Sequence, residues 1–327
     1  MTTSWRALRR RLLTPSVSQT SIEKRGFHRK SAAAQERLET VGKTFLIGYG
    51  EAMEARRPAD AVGALEQVPE WLRGFAYEGA GMGFAMLDGL PLGRSDNLER
   101  FLADSRADEY RYLVYVGIGW AMARLPRFRW PEPESLDPAL VELVLDGYGF
   151  HQAYFHTAKY VTGQYQDPGF PWPGGQHGWY ANNAIDQGIG RAAWFVCGTD
   201  VNRVADLIDS FTAKRRGDLY AGAGLAAVYA GGVPEEDLRT LARRAGEHRR
   251  NLAQGAAFAA DARVRADIVP AHSALATEIL CGATPEEAAR LTRDARPADG
   301  VAGQLPAYEV WRQRTAAQLV SLGGINT

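Results

Sequence analysis

Four side chains of this sequence sit where apolar residues would be expected. Glu78, Asp146, Gln187 and Gln254 each immediately precede a glycine-rich segment, in EGAGMGF, DGYGFH, QGIGRAA and QGAAFA. A carboxyl group in an apolar helix has two fates. A partner neutralises it and fixes the packing, or desolvation raises its pKa and makes it a proton donor near neutral pH. Asp186, in AIDQGIGRA, is a third acid of this kind and lies within ion-pairing reach of Arg191. His151 adds an imidazole, which titrates near neutral pH and suits a proton shuttle working with Asp146, Glu78 or Asp186. His156 lies five residues further, about 140° around a helix, so the two histidines make a poor chelating pair alone. A metal would need an acid from another helix, Glu78 or Asp186. Otherwise no cofactor is expected, and a satisfied core histidine is the plainer alternative.

The elements that must hold these groups are set by a repeat. Gly-x-Gly, a large residue and a small one recur at Gly79, Gly117, Gly147, Gly188 and Gly222, with a weaker copy at Gly255. The copies start 30 to 41 residues apart, in the range of two-helix repeats. Helix-forming residues follow each copy, so the glycines stand inside helices, at about 1 kcal/mol each relative to alanine. Close packing must offset that cost. The first glycine and the residue four later share a face, and the second glycine points about 200° away. A helix kept small on two sides is one sandwiched between neighbours. Only in the third copy is the slot four residues on filled by something large, His151.

The residues preceding the first glycines are Glu78, Val116, Asp146, Gln187, Ala221 and Gln254, and four residues later stand Met82, Trp120, Phe150, Arg191, Leu225 and Phe258. If the copies are equivalent in space, this face is apolar and aromatic with a few embedded polar groups, as in a ligand cavity. Trp120, Tyr148, Phe150, Gln187, Arg191, His156 and Gln254 are its candidate substrate-binding residues. The alternative is that the polar groups bond one another and only fix the stacking.

The expected fold is all-α: two-helix repeats stacked as a tetratricopeptide-like (TPR-like) α-solenoid or as a compact helical array. One domain spans residues 25–320. Residues 1–24 read as a flexible arm, 321–327 as a tail, and 162–180, with three prolines, as a loop excursion. Helix starts are signalled at Asp137-Pro138, Pro234-Glu235-Glu236 and Thr284-Pro285-Glu286-Glu287.

Composition removes several classes. Basic and acidic side chains balance at 38 each in 327 residues, which excludes a basic wrapper of duplex nucleic acid. Two cysteines, Cys197 and Cys281, build no disulfide framework and no CxxC is present, so both read as buried thiols. No apolar stretch has the length of a signal peptide or a membrane span, which points to a cytoplasmic protein. GAGMGF lacks the strand a dinucleotide fingerprint requires, and no Walker loop, GxSxG or HExxH occurs.

Several longer blocks carry a resemblance. FAYEGAGMGFAMLD, LDGYGFHQAYFH, IDQGIGRAAWFVCGTDV, DLYAGAGLAAVYAGG, LAQGAAFAADAR and AYEVWR resemble, in order, a bacterial family labelled domain of unknown function 1702, over about residues 25–314. The 162–180 segment matches none of its blocks. Members accompany polyketide synthases in enediyne gene clusters. The resemblance implies a role near conversion of a linear polyene, with no established reaction and no family catalytic residues. Together these readings lead to a biosynthetic protein that binds a hydrophobic polyketide or polyene and converts it by acid/base-assisted cyclisation or isomerisation. Asp146, Glu78, Asp186 and His151 are the candidate catalytic groups. A non-catalytic scaffold for the synthase or another pathway protein, and a metal- or haem-assisted oxidative enzyme, are the alternatives. A homodimer is compatible with either.

Overall fold

Glycines that weaken a helix must be held by something outside it, and the neighbouring backbones do so here. A computed structural model describes residues 2–90, 96–132, 135–172, 175–298 and 303–322. In chain order the helices are α1 (Thr2–Leu13), α2 (Ile22–Arg25), α3 (Ala32–Glu54), α4 (Pro58–Leu65), α5 (Glu70–Asp88) and α6 (Asn97–Leu102). Next come α7 (Ser105–Glu109), α8 (Arg111–Met122), α9 (Val141–Phe155), α10 (Ala181–Val196), α11 (Val201–Asp209) and α12 (Ala213–Tyr229). The remainder are α13 (Glu235–Arg244), α14 (Arg249–Arg265), α15 (Ala271–Cys281), α16 (Pro285–Ala295) and α17 (Ala307–Ser321). No strand occurs among the described residues.

The glycine helices form one row in which α3, α5, α8, α9, α10, α12 and α14 each pack on the next. Their contact follows a reciprocal rule. Between α9 and α10, Gly149 lies against the Ile185 carbonyl and Gly188 against that of Asp146. Between α10 and α12, Gly190 meets Leu219 and Gly222 meets Gln187 in the same way. Each glycine thus rests on the carbonyl three residues before its counterpart, where a methyl group would overlap backbone. Such Cα–H to carbonyl contacts and the dispersion gained at close approach offset the propensity cost. The rule extends to a helix the repeat pattern omitted: Gly48 of α3 rests on the Ala76 carbonyl, and Gly79 of α5 on that of Phe45.

The row closes on itself. Tyr112 of α8 donates to Asp261 of α14 at 2.9 Å. Arg263 of α14 donates to the carbonyls of Trp71 on α5 and Tyr229 on α12, at 3.0 and 2.6 Å. Of the two packings expected, the molecule is therefore the compact array. Helices α11, α13 and α15 pack in sequence outside the row.

Local signals held unevenly. Thr284 caps α16 by accepting from the Glu287 amide, and Pro234 precedes α13 with three acids in its first turn. Asp137 bonds the Ala139 amide, but α9 begins only at Val141. Both cysteines are free and buried. Residues 1–24 were expected to form a flexible arm, but residues 5–24 are docked. Arg9 donates to the Met53 carbonyl, Arg10 pairs with Glu51 and Glu54, and Thr20 and Ile22 are buried. Of the expected tail, 323–327 lie outside the described residues, as do 173 and 174 of the loop.

Candidate functional site

The inward face of the row encloses a cavity. Its volume is about 110 Å³. Eight of the twelve positions bracketing the glycines line it: Glu78, Met82, Val116, Trp120, Phe150, Arg191, Leu225 and Phe258. His151 lines it too. The reason is rotational. With one glycine turned to each neighbour, the remaining side of every helix faces the middle of the closed row.

Aromatic rings make the wall. Trp120 lies 4.5 Å from Phe45 and 5.2 Å from Phe150, centroid to centroid. His151 stands edge-on to Trp120 at 5.5 Å. At the far side, Trp311 of α17 packs on Phe258 at 4.5 Å and on Tyr112 at 6.0 Å.

Into this wall projects one acid. Glu78 is 3% exposed, and its nearest cation, Arg191 Nη2, is 3.7 Å away. Burial raises its pKa from 4.5 to about 7; Arg191 pulls it down and Asp146 pushes it further up. Arg191 also stacks over Phe150, with its guanidinium carbon 5.0 Å from the ring centre. Tyr229, also on the cavity wall, has a buried hydroxyl without a hydrogen-bond partner among the described residues, and it senses the charges of Glu78 and Arg191.

The other candidate acids stand behind the wall. Asp146 is fully buried, bound by Arg191 Nη1 and by Gln187 Nε2, whose amide also donates to Tyr308 Oη at 2.7 Å. Asp186 does not pair with Arg191. It takes two bonds from Arg215, at 2.9 and 2.6 Å, and one from Gln166 at 2.9 Å. Helix geometry explains the change: Asp186 faces α12, while Arg191, five residues on and about 140° around α10, reaches the cavity. Gln254 accepts from Arg312, which also binds Asp218, Glu309 and the Tyr180 hydroxyl. Asp146, Asp186, Gln187 and Gln254 are thus neighbours of the cavity and not part of its lining.

Three further expectations change. Tyr148 points away, packing on Phe170 and Trp130 beneath the loop excursion. His156 is exposed, its ring 6.4 Å from that of His151. No group of three or more His, Cys, Asp and Glu placed to hold a metal occurs among the described residues, so this pair finds no third ligand there. His151 is a poor shuttle, because burial above all pushes its pKa down to about 3. The excursion is anchored outside the row, through Gln166 on Asp186 and the Gln164 carbonyl on Arg215.

A family model described as "Protein of unknown function (DUF1702)" matches residues 4–319. The chain belongs to the DUF1702 family. No curated protein and no solved structure matches it. In this DUF1702 member no helix among the described residues is long and apolar enough to cross a membrane.

The lining residues of this DUF1702 chain that the repeat did not point to include Arg124, Tyr154, Phe195, Tyr229 and Ala262. Each stands four residues after a predicted inward position. Continuing each helical stripe by one turn would have found all five.

Proposed function

We propose that this protein binds an elongated apolar small molecule, a polyene of polyketide origin, inside the helical row and converts it by acid/base chemistry. The observation that carries this reading is a single acid, Glu78, set in an enclosed aromatic wall with its pKa raised to about 7. An enclosed aromatic cavity suits a small molecule better than a protein partner. The polyketide and enediyne context rests on the family resemblance.

The chemistry is an internal proton relay. The Glu78 carboxyl gives its proton to a terminal carbon of a conjugated double bond, whose π pair forms the new C–H bond. The cation left on the chain spreads over the remaining polyene, beside the π faces of Trp120 and Phe150. Arg191 holds the Glu78 carboxylate. A second double bond closes a ring on the cation, or the chain stays open. The carboxylate then removes a proton from an adjacent carbon, restoring the double bond and the acid. Atoms and electrons balance as an isomerisation or cyclisation, with no oxidant. Of the four candidate catalytic groups, Glu78 is the proton donor, Asp146 fixes Arg191, and Asp186 and His151 have no proton-transfer step.

The test combines polyene binding, followed by absorbance, with product analysis in the reconstituted pathway. Glu78→Gln is expected to bind the polyene and lose conversion by at least ~100-fold, the scale of a lost general acid. Leu225→Trp, which fills the cavity, is expected to lose binding. Wild-type product formation by folded Glu78→Gln overturns the mechanism.

A further inference from the structure

The cavity differs in charge between its interior and its mouth. Inside, Arg191 is offset by Asp146 and Glu78. At the mouth the lining includes Pro15 and Gln19 of the N-terminal segment, Leu46 of α3, Phe155 of α9 and Arg124, just past the end of α8. Arg124 is exposed, and its guanidinium has no hydrogen bond or ion pair to any described residue. It continues the inward stripe of α8 one turn beyond Trp120, as Tyr154 continues that of α9 beyond Phe150.

The other charges around it do not cancel it. Arg25 lies over Phe155, with its guanidinium carbon 4.3 Å from the ring centre, and donates to the Gln19 carbonyl at 3.0 Å. Arg124 and Arg25 both act on His151 as positive neighbours. Glu39, the acid that acts on Tyr154 here, is taken: it accepts from the Ile22 amide and from Gln35, and it pairs with Lys43. An apolar tunnel whose entrance carries an unbalanced guanidinium fits an amphiphile entering chain first.

We infer that the ligand is a long-chain carboxylic acid whose apolar chain runs past His151 and Trp120 toward Glu78 while its terminal carboxylate rests on Arg124. This rests on the reading of the cavity as a binding site for an elongated apolar molecule, and it makes Arg124 a specificity-determining residue. A guanidinium binds carboxylate through two parallel N–H bonds, which a neutral ester cannot accept with the same strength.

The probe is trans-parinaric acid, a conjugated polyene whose fluorescence rises in apolar surroundings, compared with its methyl ester on the full chain. The acid is expected to bind about tenfold tighter than the ester, with an advantage that shrinks as salt rises. Arg124→Gln should remove most of that advantage by weakening the acid far more than the ester, and Arg124→Lys should restore part of it. Equal binding of acid and ester, or an equal loss of both in Arg124→Gln, overturns the carboxylate assignment and leaves the cavity reading intact. Failure of both probes to bind wild-type protein overturns both.

Discussion

Glu78 and Asp186 are buried to the same degree, at 3% and 2% exposed, yet they do different things. Asp186 sits between two helices with Arg215 clamped across both oxygens and Gln166 on one of them. Its lone pairs are used, and it ties α10 to α12 and to the start of the loop excursion. Glu78 faces open space, with its cation 3.7 Å away. Burial raises both pKa values, to about 6 for Asp186 and about 7 for Glu78, so the shift does not separate them. Access does. A buried acid is a reagent when a substrate atom can reach it, and a fastener when its own partners fill that space.

The sharpest break of this comparison is Arg215→Met. It leaves Asp186 buried without its cation and is expected to cost about 3–5 kcal/mol, the usual loss when one partner of a buried pair is removed. Urea unfolding measures it. A cost below 1 kcal/mol would mean that Asp186 is no more committed than Glu78.

A smaller effect is expected from the packing that presents both acids. A methyl group at Gly188 would overlap the Asp146 carbonyl and crowd the Phe150 amide. Gly188→Ala should therefore lose about 1–3 kcal/mol despite its better helix propensity. Gly63, also in a helix, has nothing within 4 Å of such a methyl, so Gly63→Ala should gain up to about 1 kcal/mol. Opposite signs in thermal unfolding would confirm that the row glycines act through backbone contact.

A further effect sharpens the assignment of Glu78 through pH. Its folded pKa is raised from 4.5 to about 7, so between those values the folded state binds more protons than the unfolded one. Its contribution to stability therefore falls as pH rises from about 4.5 to about 7 and is flat beyond. The Tm of Glu78→Gln relative to wild type should climb by a few degrees over that window. Wild-type turnover should fall above pH 7 as the proton donor is lost. A Tm difference that does not change with pH would place the acid elsewhere.

Much of this was legible in the sequence, because the glycines fix the rotation of each helix. Once Gly147 and Gly149 are assigned to opposite neighbours, the inward position of Phe150 follows. The helix α3 escaped because it carries a row glycine only at the second position, Gly48, with Leu46 standing at the first. Terminal helices of the row need only one glycine: α14 showed itself through Gly255 as a weaker copy, and α3 did not. Partner choice was less legible. Asp186 and Arg191 are close in sequence, but their difference of five residues turns them to different faces. Ring closure rests on contacts such as Tyr112 with Asp261, 149 residues apart, and no local pattern announces these. The docked N-terminal segment was missed for the same reason, since its anchors Met53 and Glu51 lie on α3.

Helix α17 has a consequence for how the protein is made. Tyr308 accepts from Gln187 Nε2, Arg312 donates to Gln254 Oε1 and Asp218, and Trp311 of the same helix lines the cavity. All six repeat helices leave the ribosome before it, because domains are synthesised from the N-terminus at roughly 5–20 residues per second. Until α17 arrives, those polar groups must stay hydrated, and the nascent row is a basin with water at its centre. The drying of the cavity is therefore a late event in synthesis, timed by one helix.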